Sequence, residues 1–277
     1  MIPIHLPLIL PNQNPDLINP TGRYHMSNVP GADLPVIQHL TELRSRLLKA
    51  IGAVLIGMMV GLAISDRVFT FLAKPLIDLL PEADRRLVFT SLPEIFVVYF
   101  KVAIFSGIIL ACPVIFYQIW RFVEPALYEH ERRSALPFVL ISTLFFLLGS
   151  AFCYWQVFPW GFRFFISLSS ETIQPMLTMS EYLKFSTTLI LIFGTIFEMP
   201  VLISFLAKLG IIRHELLRRQ RKYAIVIIFI VAAVLTPPDV LTQIMMALPM
   251  MLLYEISILG AKLFGRSASG KHESEIE

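Results

Sequence analysis

Six long apolar runs constrain this chain more than any other feature of its sequence. They cover residues 47–64, 102–119, 136–158, 189–207, 224–235 and 240–260. A helix needs about 20 apolar residues to cross a hydrocarbon core of ~30 Å, and most of these runs approach that length. Only 16% of the residues are charged, against about 25% in soluble domains. The sequence therefore predicts an all-α polytopic membrane protein with six transmembrane helices.

The fifth run is shorter than the others. Residues 224–235, if helical, span only ~18 Å at 1.5 Å per residue. Arg221 and Lys222 stand at one end of this run, and the turn-forming sequence Thr-Pro-Pro-Asp at 236–239 stands at the other. We expect the last two helices to form a short hairpin that is mismatched to a bilayer of ordinary thickness.

The distribution of positive charge predicts the orientation. With the N-terminus placed inside, 16 of the 23 Lys and Arg residues fall in inside segments and 7 fall outside. Cytoplasmic segments of membrane proteins carry such an excess, so both termini are predicted to be cytoplasmic. The outer segments at about 65–94 and 159–188 are long enough to fold into a cap.

Sequence character changes at both ends of the apolar region. Residues 1–35 are rich in Pro and Asn and have no helical period, which indicates a disordered extension, with Met26 as an alternative start. Residues 36–262 form the predicted six-helix membrane domain, and residues 263–277 form a disordered cytoplasmic tail. The membrane domain begins with an amphipathic, interfacial helix, whose apolar face is made by Val36, Leu40, Leu43 and Leu47.

Glu198 is the most unusual residue within the apolar runs. It has nine residues of the fourth run on each side, and a carboxylate at mid-bilayer costs about 2.5–3.5 kcal/mol on insertion scales. Pro200 removes a backbone N–H and should kink the helix beside it. Glu198 is either a protonated side chain bonded to a neighbouring helix or a polar point in a cavity used by a substrate or partner. We favour the second interpretation.

Other polar residues permit both structural and functional interpretations. Glu42 precedes Arg46 by four residues, the spacing of a helical ion pair. Three acids share one cytoplasmic loop with Arg132 and Arg133, where they either pair with these arginines or bind cations. These acids are Glu124, Glu129 and Glu131.

Small and polar residues also mark predicted helix contacts. Gly57 and Gly61 form a GxxxG step that is typical of close helix packing. Thr236, Gln243 and Glu255 place polar groups on the closing hairpin, where other helices of this chain or a partner would bond them.

Several functional classes find no support in the sequence. Two cysteines and six dispersed histidines give no disulfide framework and no metal-ligand spacing, so no metal or cofactor is predicted. The chain contains no nucleophile–base grouping and no phosphate-binding glycine loop, so it is not expected to be an enzyme. No basic-aromatic pattern indicates nucleic acid.

Five ordered segments between about Ile37 and Lys262 resemble the TatC family, the signal-peptide receptors of twin-arginine protein translocases. The segments are residues 39–47, 89–107, 113–133, 193–201 and 221–243. Residues 39–47 resemble the family's HLxELRxRL motif, and 113–133 are the longest match. Two features depart from the family pattern: the extension at 1–35, and the added acids Glu124 and Glu129.

The resemblance implies a fold, a location and a set of partners. The six helices would form a concave, cupped array with a periplasmic cap, in the bacterial inner membrane. The protein would bind twin-arginine signal peptides of folded precursors and export them with TatA- and TatB-like single-span partners and other copies of itself, using the proton motive force. The lipid bilayer would surround it.

The resemblance also implies site residues. The signal-peptide site would comprise Glu42, Arg44, Phe122 and Glu131. Glu198 would face the concave surface, and Thr236 and Gln243 would meet the TatA- and TatB-like partners.

The chemistry of the cargo fits two of these residues. A twin-arginine motif presents two planar guanidinium groups, each able to bind a carboxylate through two hydrogen bonds, and Glu42 and Glu131 supply two carboxylates. The alternative function is a proton- or ion-coupled secondary transporter or channel with Glu198 as its ion site. The absence of an inverted repeat and the single ionisable midplane residue argue against that alternative.

Overall fold

A computed structural model of the protein describes residues 35–80, 87–123, 135–167, 178–235 and 240–265. These residues form ten α-helices and one π-helical turn. The helices are α1 (Pro35–Ala63), α2 (Ser65–Ile77), α3 (Leu92–Val123), α4 (Ala135–Phe152), α5 (Phe158–Ser167), α6 (Met179–Phe197), α7 (Met199–Lys208), α8 (His214–Arg219), α9 (Arg221–Leu235) and α10 (Val240–Phe264). The π-helical turn, Cys153–Val157, joins α4 to α5.

Five helical segments in the described part of the chain are long and apolar enough to cross a membrane: Leu40–Ala63, Leu92–Val123, Leu136–Ser167, Met179–Lys208 and Thr242–Phe264. The remaining apolar helix, α9, is the fifth in chain order and has 15 residues and a length of only about 22 Å. The predicted class, an all-α polytopic membrane protein, is confirmed, and so is the shortness of the fifth apolar helix. The expectation that both final helices are short is wrong for α10, which has 25 residues and is long enough to cross a membrane. The cupped arrangement stays a prediction.

At least three of the predicted spans are parts of longer helices, and the second, 102–119, lies within α3, Leu92–Val123. The third passes through the π-helical turn and continues beyond residue 158 to Ser167, and the fourth begins at Met179 instead of Leu189. Charged Arg163 and Lys184 end the apolar runs in the sequence, but both side chains are exposed while the helices continue. A hydropathy pattern therefore locates the apolar part of each helix and misses the turns that continue beyond it.

The described parts of the two predicted outer segments are helical and pack together, and their role as a cap on the outer side stays a prediction. Helix α2 buries Leu72 and Leu76 in the main apolar core. The Tyr182 hydroxyl of α6 donates a hydrogen bond to the Leu72 carbonyl at 2.6 Å, and the Tyr154 hydroxyl donates to the Phe71 carbonyl at 2.7 Å. Each of these buried tyrosine hydroxyls thus has a backbone acceptor in α2, and the two bonds hold α2 against the helices that follow.

Contacts divide the chain into two units, Met1–Arg44 and Ser45–Glu277, and the helix pairs below belong to the second. Helices α1 and α3 run antiparallel. Their backbones are nearly in contact, because a Cβ added at Gly57 would lie 2.8 Å from the Gly107 carbonyl oxygen. The predicted packing role of Gly57 and Gly61 is thus confirmed. Helix α3 then pairs with α4, and α4 with α6, where a Cβ at Gly149 would lie 2.6 Å from the Phe193 oxygen.

The closing helices pack in a different order from their order in the chain. Helix α10 contacts α7 on one side and α9 on the other. Helix α9 therefore has few helix neighbours, and apolar side chains such as Val226, Ile230 and Val234 remain exposed on it. Such an apolar face in a membrane protein contacts lipid or a partner helix.

Candidate functional site

The predicted peptide-binding residues at the start of α1 lie in the first unit. Arg44 is exposed and Glu42 is half-buried. Both belong to the polar first turns of a helix that becomes fully apolar after Lys49. The pairing of Glu42 with Arg46 stays a prediction.

Phe122 lies in the last turn of α3 and is half-buried. Glu131 lies outside the described residues, together with Glu124 and Glu129. The structure therefore neither joins nor separates Glu42 and Glu131, and the carboxylate pair stays a prediction.

Glu198 lies at a break between two helices, in agreement with the predicted kink. Helix α6 ends at Phe197 and α7 begins at Met199, with Pro200 in its first turn. The Glu198 N–H donates to the Thr195 carbonyl at 3.1 Å, a three-residue step, and regular four-residue bonding resumes from Leu202 to the Glu198 carbonyl at 2.9 Å. Pro200 has no N–H to continue the α6 ladder, which explains the break at this position.

The Glu198 side chain is only 5% exposed, and its carboxyl faces α4. Its polar neighbours there are the Ser142 hydroxyl and the backbone of Phe146. The contact is imperfect, because Glu198 Oε1 and Ser142 Oγ are both buried without a hydrogen bond of ordinary geometry. A buried polar atom without a partner costs about 1–3 kcal/mol, and whether a substrate or partner uses this position stays a prediction.

The closing hairpin satisfies its polar groups within the chain. Gln243 Nε2 donates to the Phe229 carbonyl at 3.0 Å, and Arg221 Nη2 lies 2.7 Å from Glu255 Oε2. The sequence predicted that Gln243 and Glu255 bond either to other helices of this chain or to a partner. The structure shows the first alternative for both residues. Thr236 lies outside the described residues.

No cluster of three His, Cys, Asp or Glu residues is placed to hold a metal ion within the ranges that the structure describes. What the described residues offer is a set of apolar faces with a few polar groups. Such an arrangement suits the binding of an apolar or amphipathic chain.

Sequence reasoning missed Trp120, which is 1% exposed at the end of α3. Its ring packs against Phe138 of α4 and Phe205 of α7 at centroid distances of 4.7 Å and 5.1 Å. A signal was present, since a Trp followed by an Arg at the end of an apolar run is typical of a membrane interface.

Comparison with known proteins decides the family. The family described as "Sec-independent protein translocase protein (TatC)" matches residues 38–249. The chain belongs to the TatC family. It is similar to the Sec-independent protein translocase protein TatC of Desulforapulum autotrophicum, with 48% identity over 88% of this chain and 90% of that protein. It is also similar to TatC of Escherichia coli (strain K12), with 37% identity over 86% of this chain and 92% of the relative.

A solved structure agrees with this assignment. The crystal structure described as the twin-arginine translocase receptor TatC matches with a TM-score of 0.73 and 43% identity, over 82% of this chain and all of that one. The predicted resemblance to TatC is confirmed, and with it the function in Sec-independent protein translocation across a membrane. The alternative of an ion-coupled transporter or channel loses its basis, because residues 38–249, most of the apolar region, match a protein translocase family.

Proposed function

We propose that this TatC protein is the signal-peptide receptor of a twin-arginine translocase. It binds the twin-arginine signal peptides of folded precursors and, with TatA- and TatB-like partners, exports them using the proton motive force. The observation that carries the proposal is the match to a twin-arginine translocase receptor over the full length of that receptor chain. We assign it no enzymatic activity.

The direction of the helices supports a binding site at one end of the bundle. Because α1 and α3 are antiparallel where Gly57 meets Gly107, the Ser45 end of α1 and the Val123 end of α3 project to the same side of the membrane. Glu42 and Arg44 come just before Ser45 in sequence, and Glu131 follows Val123 by eight residues. The excess of Lys and Arg assigns this side to the cytoplasm, where precursors are made.

Each proposed residue has a chemical role there. Glu42 and Glu131 bind the two guanidinium groups of the signal peptide, each through paired N–H···O bonds. Lysine offers a point charge without this planar geometry, so a twin-lysine peptide binds less well. Arg44 donates hydrogen bonds to backbone carbonyls of the peptide, and Phe122 contacts the apolar residues that follow the arginines.

The same proposal covers Glu198 and the closing hairpin. The apolar stretch of the signal peptide enters the membrane along the helices, and Glu198 accepts a hydrogen bond from it. The hairpin, with Thr236 and Gln243, contacts the TatA- and TatB-like partners through the apolar face of α9. Other copies of this chain complete the receptor complex in a bacterial inner membrane, with both termini in the cytoplasm.

Binding measurements with single and double variants test the proposed carboxylate pair. Glu42→Ala and Glu131→Ala should each weaken the affinity for a twin-arginine precursor, because each removes one charge-assisted contact of about 1.5–3 kcal/mol. That loss corresponds to roughly 10- to 150-fold in Kd. Glu181→Ala is the matched control, since Glu181 is an exposed glutamate in the first turn of α6, toward the other side of the membrane.

The double variant gives the decisive outcome. If its affinity equals that of the wild type while the protein inserts normally, neither glutamate binds the arginines. If Glu181→Ala weakens binding equally, the effect is one of general charge and not of the site.

A further inference from the structure

A groove lies at the membrane end where α3, α7 and α10 finish and α4 begins. Its volume is about 550 Å³. Aromatic rings of Trp120, Phe138 and Phe205 form its inner wall, where Phe138 and Phe205 lie 5.2 Å apart between centroids. Its outer part is lined by side chains that remain exposed, among them Ile141, Leu259 and Leu263. The groove is therefore open to the membrane along its length and apolar within.

One polar atom in this apolar wall lacks a partner. Trp120 is almost completely buried, and its Nε1–H has no hydrogen-bond acceptor among the residues that the structure describes. An indole N–H is a donor only, and leaving it unpaired in an apolar environment costs free energy that an occupant with an acceptor recovers. A purely apolar occupant, such as a run of Leu and Val side chains, supplies no such acceptor.

One basic residue lines the groove, and two others lie at the ends of helices that border it. Lys208, in the last turn of α7, is exposed and lines the groove. Arg121 follows Trp120 directly, and Lys262 lies in the last turn of α10. A basic residue thus lies in the last turn of each of the three helices that finish here, beside the end of its apolar segment. Each basic residue near a membrane surface favours anionic lipid by about 1 kcal/mol.

We propose that this groove binds an anionic phospholipid of the adjacent leaflet as a structural ligand. One acyl chain lies along Ile141, Leu259 and Leu263, a glycerol ester carbonyl accepts the hydrogen bond of Trp120 Nε1–H, and the phosphate lies beside Lys208. The three features of the groove match the three parts of such a lipid: an apolar chain, a carbonyl acceptor at its top and a negative charge above. An apolar stretch of a partner helix, whose carbonyls are bonded within that helix, would match the first feature only.

Fluorescence quenching by brominated lipid tests this site directly. Trp155 and Trp160 are exposed at 69% and 50%, so replacing both with Phe leaves Trp120 as the single fluorophore with little effect on packing. This variant is placed in phosphatidylcholine nanodiscs that contain a small, increasing fraction of dibromo-phosphatidylglycerol or dibromo-phosphatidylcholine. A matched protein that keeps only Trp155, which faces lipid, serves as the control.

We expect quenching of Trp120 to saturate at a low fraction of the brominated phosphatidylglycerol and to be weaker with phosphatidylcholine at the same fraction. Quenching of Trp155 should rise gradually and equally with both lipids. Lys208→Gln should reduce the preference of the Trp120 site for phosphatidylglycerol about fivefold, the change expected from one basic residue near the surface.

Two results would overturn the proposal. Equal and gradual quenching of Trp120 by both lipids would show ordinary surrounding lipid, without a site. Absence of quenching by either lipid would show that protein, from this chain or a partner, fills the groove.

Discussion

Gln243 Nε2 donates a hydrogen bond to the backbone carbonyl of Phe229 at 3.0 Å, and this bond joins the first turn of α10 to the middle of α9. At the other end of the same hairpin, Arg221 and Glu255 form an ion pair at 2.7 Å. Helix α9 is too short to match a bilayer by its length, and it has few helix neighbours. Polar contacts at two levels therefore hold it against α10.

Replacing Gln243 with Leu should loosen this hairpin. The variant loses one interhelical hydrogen bond, which contributes about 0.6–1.7 kcal/mol in membrane proteins. Thermal unfolding in detergent measures the loss, with Gln220→Leu as the control, because the Gln220 side chain is exposed. If Gln243→Leu unfolds at the wild-type temperature but captures less of a TatA- or TatB-like partner, Gln243 contacts the partner and the bond to Phe229 contributes little.

Replacing Gly57 with Val should separate α1 from α3. Its Cβ would meet the Gly107 carbonyl oxygen at 2.8 Å, and overpacking of this kind costs about 1–3 kcal/mol. Gly52→Val is a close control, since it lies in the same helix and a Cβ there meets nothing within 4 Å. The unfolding temperatures of the two variants check this. Equal destabilisation would mean that valine acts through helix propensity and not through the contact.

Replacing Glu198 should show whether its carboxyl acts as a polar contact or as an obligatory proton carrier. Glu198→Gln retains a side chain that accepts and donates hydrogen bonds, so we expect it to keep much of its export activity. Glu198→Leu should impair export more without destabilising the fold, because it removes a costly polar group from the membrane interior. Export assays at matched protein levels decide between the two roles, with Ser142→Ala as a control for the buried neighbour.

Two outcomes of that experiment would contradict the proposed role. Complete loss of export with Glu198→Gln would make the carboxyl an obligatory proton carrier. Wild-type export with Glu198→Leu would show that the Glu198 side chain only packs against α4.

The apolar runs predicted the helices of this protein better than they predicted the ends of those helices. The GxxxG step predicted close packing correctly, because only glycine lets two backbones approach as Gly57 and Gly107 do. The turns around Arg163 and Lys184 were missed. There the charged side chains point outward while neighbouring Phe162 and Leu183 are buried, so average hydropathy falls although the helix continues.

The candidate site was predictable where one residue contradicts its surroundings. Glu198 is conspicuous as a carboxylate in an apolar run, and the structure indeed places it at a helix break. The sequence around Trp120 indicates a membrane interface, but its packing against Phe138 and Phe205 depends on which helices meet beside it, and a single sequence does not carry that information. Glu131 and Thr236 remain predictions, because they lie outside the described residues.

Crosslinking from position 122 tests the receptor function most directly. A photoreactive amino acid in place of Phe122 is presented with a folded precursor that carries either the twin-arginine motif or a twin-lysine version of it. The proposed binding of both guanidinium groups predicts strong crosslinks to the twin-arginine precursor and at least about tenfold fewer to the twin-lysine precursor, the loss expected when one charge-assisted contact fails. Equal crosslinking to the two precursors would contradict it.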